Sequence, residues 1–215
     1  MTLVKRLLAL TITSATLVIP SAFANDGSWL VRVRAVNLDM VNKSDPIAAL
    51  AVPSDAIQAA DKIIPEVDIS YFITKNIAAE LILTIPQKHI VKVTQSAIGP
   101  FDAGTFKHLP PTLSLQYHFL PDGQFRPYVG AGVNYTRISS VDLAVPGVTR
   151  LRLESDSWGG ALQAGFDVKL DKNLFLNLDV KKIYINTDIK DDAGTKLSHL
   201  KLNPLAIGVG LGWRF

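Results

Sequence analysis

The chain has no cysteine. That excludes a disulfide framework and any thiolate metal site. It has only four histidines, His89, His108, His118 and His199, and no two of them stand at metal-ligand spacing. Long apolar runs are also missing. Beyond residue 24 no stretch reaches ~18 uncharged apolar residues, so no transmembrane helix is expected. An excess of one charge is lacking as well. Residues 1–24 read as a secretory signal peptide: Lys5 and Arg6 form a basic start, Leu7 to Ile19 is apolar but short for a span, and Ala22-Phe23-Ala24 fits a cleavage site. Removing Lys5 and Arg6 from the 22 basic residues leaves 20 against 19 acidic ones, a net of +1, which offers nothing to nucleic acid. The single domain expected after cleavage spans residues 25–215, starting at Asn25.

What the chain does contain is alternation. Period-two patterning predicts eight strands, at Trp29–Leu38, Pro65–Ile73, Ile77–Ile85, Pro111–Phe119, Arg126–Ile138, Ser157–Leu170, Leu174–Ile185 and Leu200–Phe215. Short connections at Thr74–Asn76, Leu120–Phe125 and Asp171–Asn173 alternate with long ones at Asp39–Ile64, Pro86–Pro110, Ser139–Asp156 and Asn186–His199. Short periplasmic turns and long extracellular loops in that order predict an all-β fold, an eight-stranded antiparallel transmembrane barrel. Lipid satisfies no backbone hydrogen bond, so an exported chain without apolar helices crosses a membrane only as a closed barrel. One or two helical turns are expected at most, after Ser54-Asp55 in the first long loop. Trp29, Tyr71, Phe72, Tyr117, Phe119, Trp158, Trp213 and Phe215 fall near strand ends, as interfacial girdles require.

The polar faces carry Arg32, Arg34, Lys169, Lys181 and Arg214, against Glu66, Asp68, Glu80, Asp167 and Asp179. An eight-stranded barrel is just filled by its side chains, so these charges are expected to pair as a lumen plug. A narrow ion-conducting pore is the competing arrangement. Above a plug, a solute has to leave sideways. Pro110 and Pro111 remove two adjacent N–H donors on the extracellular side of the fourth strand, which either opens a lateral gap or simply ends the strand. The run Ile47–Val52, with Leu50 and Val52, and the segment Leu143-Ala144-Val145-Pro146 place apolar residues in long loops. They either line an apolar funnel or pack on one another beneath the loop crown.

The stretches "HLPPTLSLQYHF", "FRPYVGAGVNYT", "DSWGGALQAGFDV" and the terminal "GVGLGWRF" resemble, in order and across the whole chain after the signal, the outer membrane protein W family. The resemblance implies a barrel with a hydrophobic pocket open to the outside and passage of small hydrophobic molecules, with alkane uptake among close relatives. It also implies a proline-linked lateral opening, whose motif matches Leu109, Pro110 and Pro111 here. The closing Phe215 matches the signal by which outer-membrane assembly machinery recognises such barrels. The chain departs from the family pattern at Asn203-Pro204-Leu205, where many members carry an aromatic, and in an alanine-rich first loop.

Catalysis is not expected. Ser114 and His118 share a face but stand about 13 Å apart along a strand, and no other grouping resembles a triad. Gly130 and Gly132 lie within a strand and form no phosphate loop. No cofactor or metal is expected. The expected protein is a monomeric passive channel of the Gram-negative outer membrane, in contact with lipid and small hydrophobic solutes. The alternatives are a surface protein whose loops contact host, phage or bacteriocin, and the small ion pore.

Overall fold

Residues that alternate between apolar and polar can bury one face only if the sheet curls upon itself, and this one does. The computed structural model describes residues 27–215; the expected signal peptide, residues 1–24, and its junction at Asn25 lie outside the described residues. Fifteen strands follow in chain order: β1 (Trp29–Asp39), β2 (Lys43–Ser44), β3 (Ile57–Ala59), β4 (Lys62–Phe72), β5 (Ile77–Thr84), β6 (Gln87–Val93), β7 (Phe101–Leu109), β8 (Thr112–His118), β9 (Phe125–Val145), β10 (Thr149–Leu153), β11 (Asp156–Lys169), β12 (Leu174–Ile183), β13 (Asn186–Asp191), β14 (Lys196–Lys201) and β15 (Leu205–Arg214). Eight of them, β1, β4, β5, β8, β9, β11, β12 and β15, form the closed antiparallel barrel. The seam between the chain ends runs through β1 and β15, from Leu30 opposite Arg214 to Asp39 opposite Leu205, and Phe215 N donates to the Trp29 carbonyl at 2.8 Å.

The outer face is apolar where lipid lies. Leu113, Leu115, Leu162, Val133 and Val209 all project outward and exposed. Tyr135 and Trp158 pack as a tilted pair, ring centres 4.9 Å apart, at the extracellular rim, and Trp29 and Tyr71 do the same at 4.8 Å at the periplasmic end. Phe72, expected in a girdle, instead points inward, with Arg214 over its ring at 4.2 Å. It sits one residue past Tyr71, and a period of two sends neighbours to opposite faces.

The long connections differ most from expectation. They are largely strand. β6 pairs with β7, β9 runs on to pair with β10, and β13 pairs with β14, extending the wall beyond the membrane. Asn42 and Asp55 join β2 to β3: the Asn42 side chain donates to the Ala59 carbonyl at 3.0 Å, and Ser44 N donates to Asp55 Oδ1 at 3.0 Å. No helix forms after Ser54. Ile57–Ala59 extends to pair with Val91–Val93, because a strand there covers an edge that a helical turn would leave open. Among the described residues the single helical turn is 3₁₀, at Ala48–Leu50. Two expected strands also change. Pro111 stands just outside β8, and Leu200–Phe215 divides into β14 and β15, parted at Asn203-Pro204 because proline cannot carry the ladder on.

Close packing at the seam depends on glycine. A Cβ on Gly210 would stand 2.0 Å from the Val33 carbonyl oxygen and 2.7 Å from Arg34 Cα. Gly210→Val is therefore expected to destabilise the barrel by at least ~1–3 kcal/mol. The check is the urea midpoint of protein folded into lipid vesicles; an unchanged midpoint would show that the seam has slack.

Candidate functional site

The lower lumen is filled by charge. Arg32 Nη2 meets Asp167 at 2.7 Å and its Nη1 meets Glu80 at 3.1 Å, while Nε adds a second bond to Asp167 at 3.0 Å. This two-pronged geometry is what a guanidinium gives a carboxylate. Arg34 meets Asp68 at 2.5 Å, Glu66 at 3.0 Å and Asp179 at 3.5 Å. Lys181 reaches Glu66 at 3.3 Å and Asp179 at 3.7 Å. Gln163 donates to Glu80, and the Tyr128 hydroxyl to Asp179, both at 2.8 Å. Arg32, Asp68 and Glu80 are 0% exposed. A water-filled pore at this level would leave them accessible.

Two of the ten expected plug residues do not join. Lys169, the last residue of β11, is half-buried, and no ion pair forms to it among the described residues. Arg214 lies at the periplasmic mouth, where its Nε donates to the Gly27 carbonyl at 2.5 Å. Both stand too near the strand ends to reach the mid-barrel carboxylates. Arg126, not assigned from sequence, lies at the same end over the Phe175 ring at 4.7 Å. Its outward neighbours at a turn hid its inward direction.

Above the plug the interior turns apolar. Val36, Ile64, Ala161, Ile183 and Ala206 begin a buried column that continues through Ile185, Leu200 and Leu202. Toward the outside, Leu50, Val52, Leu143 and Val145, drawn from two separate connections, meet around an apolar cavity of about 20 Å³ with Phe101 and Ile189. The four residues singled out in the sequence are thus assembled at one place. In this conformation the chamber is nearly closed.

The wall is interrupted where the column meets the plug. The β5–β8 ladder ends at Ile82 opposite Thr112, and the β6–β7 ladder begins at Gln87 opposite His108. Between them, Leu83–Pro86 and Leu109–Pro111 face each other with no ladder. On the other side the wall is continuous: Leu109 pairs with Arg137, Tyr135 N donates to the Pro111 carbonyl at 3.1 Å, and Thr112 pairs with Asn134. Carbonyls at the break also accept from side chains, Pro111's in addition to its bond from Tyr135 N. Gln87 Nε2 donates to the Ile85 carbonyl at 2.6 Å, and Asn134 Nδ2 to those of Pro110 and Pro111 at 3.1 and 3.2 Å. Pro110 is buried, and Leu109 and Pro111 are half-buried.

Just above the break, His89 and His108 stack at 4.7 Å, with Phe106 beside His89 at 5.6 Å. Lys88 and Lys107 pair at this level and carry ammonium groups away from the interior, so it lies above the hydrocarbon. Burial first, then neighbouring His89 and the Lys62 ammonium, push the His108 imidazole down to about 3. Burial also lowers His89.

With this geometry in hand, similarity to known proteins decides the family. The model of the OmpW family matches residues 25–215. The chain belongs to the OmpW family. A relative described as an uncharacterized outer-membrane protein, y4mB of Sinorhizobium fredii, is 40% identical over 190 residues, 87% of this chain and 80% of that one. Outer membrane protein W of Vibrio cholerae is 32% identical over 202 residues, 88% and 89% of the two chains. The dibenzothiophene metabolism operon protein PahQ of Pseudomonas aeruginosa is 28% identical over 199 residues, 90% and 91% of the two. Among solved structures, the outer membrane protein OprG from Pseudomonas aeruginosa superposes with a TM-score of 0.75 at 27% identity, covering 88% of this chain and 96% of that one. This OmpW-family chain is an outer-membrane β-barrel of a Gram-negative bacterium.

Two outcomes follow from the charges. Arg32→Met leaves Asp167 and Glu80 buried without their cation and is expected to cost ~3–5 kcal/mol. A urea midpoint in vesicles equal to wild type would contradict a plug held by that residue. For His108 the folded value of about 3 lies below the ordinary 6.5, so the neutral ring is the folded form. Its contribution is complete above about 6.5 and is lost as pH falls toward 3. Wild type is expected to lose stability over that window relative to His108→Phe; parallel pH profiles would refute it.

Proposed function

We propose that this OmpW-family barrel is a passive, non-enzymatic channel for uptake of small hydrophobic molecules, working as a monomer and releasing its solute sideways into the outer leaflet. The observation that carries the reading is a coincidence of levels. The apolar column ends on a charged floor at the height where the ladder between β5–β6 and β7–β8 is broken. A hydrophobic solute descending the column meets buried ion pairs that it cannot displace without leaving charge unpaired. The break beside Pro110 and Pro111 offers a wall with no ladder to tear, and Leu83, Ile85 and Leu113 outside it face lipid. Similarity to PahQ, named for dibenzothiophene metabolism, supports an apolar cargo. Within the same reading, Leu50, Val52, Leu143 and Val145 part to admit the solute, and the terminal Phe215 serves recognition by the assembly machinery.

The test is uptake of radiolabelled octane by cells carrying wild type or Pro110→Ala/Pro111→Ala at equal amounts of folded barrel. The alanines restore two N–H donors with which the break can close. Uptake is expected to fall several-fold. Equal uptake would mean that the prolines only end a strand. Wild-type uptake no greater than in cells lacking the protein would overturn the channel itself.

A further inference from the structure

His89 and His108 hold unmet hydrogen-bonding capacity at the break. Among the described residues, His89 Nε2 and both ring nitrogens of His108 are buried without a hydrogen-bond partner. The neighbouring amides are engaged: Gln87 Nε2 binds Thr84 Oγ1 at 3.2 Å and the Ile85 carbonyl at 2.6 Å, and Asn134 donates to Thr112 Oγ1 at 2.8 Å and accepts from Thr136 at 2.6 Å. Unpaired buried polar atoms are costly and uncommon, and three on two stacked rings call for a ligand group or water.

The protonation of the rings defines that group. His89 Nδ1 lies 2.9 Å from the Ala60 carbonyl oxygen. A carbonyl only accepts, so Nδ1 carries the proton, and Nε2 of the neutral ring is a bare lone pair that needs a donor. Neutral His108 supplies one N–H and one further lone pair. The three atoms therefore offer two acceptors and a single donor. A carboxylate, which only accepts, finds one donor and no charge partner. An ammonium would have to be desolvated beside two neutral rings. A hydroxyl donates and accepts at once, and matches the set.

We propose that the His89–His108 stack recognises the hydroxyl of a hydrophobic alcohol or phenol as it passes from the apolar column to the proline break. The inference rests on the channel reading above and narrows its cargo. The alkyl or aryl body lies in the column beside Phe106, and the hydroxyl hydrogen-bonds to His89 Nε2 and to the His108 N–H. The rings thereby hold the solute at the level of the break beside Pro110 and Pro111.

The experiment uses the full mature chain folded into lipid vesicles, with nitrogen-15 in its histidines, titrated with 1-octanol and separately with n-nonane, in which a methyl replaces the hydroxyl. Octanol is expected to move the His89 Nε2 resonance and one His108 nitrogen resonance; nonane is expected to leave both in place. In cells, His89→Phe is expected to lower octanol uptake by about tenfold, the size of one hydrogen bond to a buried acceptor, and to leave nonane uptake unchanged. His108→Gln, which keeps a donor and an acceptor, is expected to retain most of the preference. Equal effects of octanol and nonane on the rings, with both compounds still taken up, would overturn hydroxyl recognition, leave an ordered water on the rings, and leave the channel reading standing. Uptake of neither compound would overturn both.

Discussion

Lipid offers no partner to an unpaired amide, and that constraint organises the whole molecule. It forces the sheet to close, since an open edge in hydrocarbon would strand a row of donors and acceptors. It governs the seam, where glycines let β15 lie directly against β1. It also governs the break in the ladder beside Pro110 and Pro111. Proline removes the donors at Pro110 and Pro111, and the carbonyls left behind are met from inside by Gln87 and Asn134. An interruption patched in this way keeps the barrel whole without locking two strands together.

Closure at eight strands sets the second tier of structure. So narrow a lumen has to be filled, and its chemistry divides by height. Three cations and five carboxylates occupy the lower half in direct ion pairs, with Arg126 and Arg214 below them. Each cation serves two or three carboxylates, so no single charge can leave without stranding another. Mostly aliphatic side chains occupy the upper half. The floor is polar and held by ion pairs, the column apolar and buried. The boundary between them coincides with the wall interruption, and the histidine pair stands just above it.

A great deal of this was legible in the residues. Alternation at Leu113, Leu115, Tyr117 and Phe119 assigns the lipid face, since neighbours on a strand point to opposite sides whatever the fold around them. The same periodicity assigns Arg32, Arg34, Glu80, Asp167 and Asp179 to the interior. It fails at strand ends, where position along the axis matters more than face: Lys169 faces no carboxylate there, Phe72 turns inward, and Arg126 joins unannounced. The long connections were legible as apolar in places but not as strands. Their pairing joins segments far apart in sequence, such as β3 with β6 and β2 with β14, and no local pattern encodes a partner.

Taken alone, the sequence determined the barrel, its eight membrane-crossing strands, its lipid face and a lumen lined by charges of both signs, because each follows from a period of two and from the absence of any apolar helix. Only the tertiary structure decided which charges meet, that the loops are an extended wall, and that Leu50, Val52, Leu143 and Val145 converge. It alone decided that His89 and His108, nineteen residues apart in the chain, stack beside the break with their nitrogens unmet. Those facts depend on the register between strands, and register is set by the summed packing of the closed sheet rather than by any one segment.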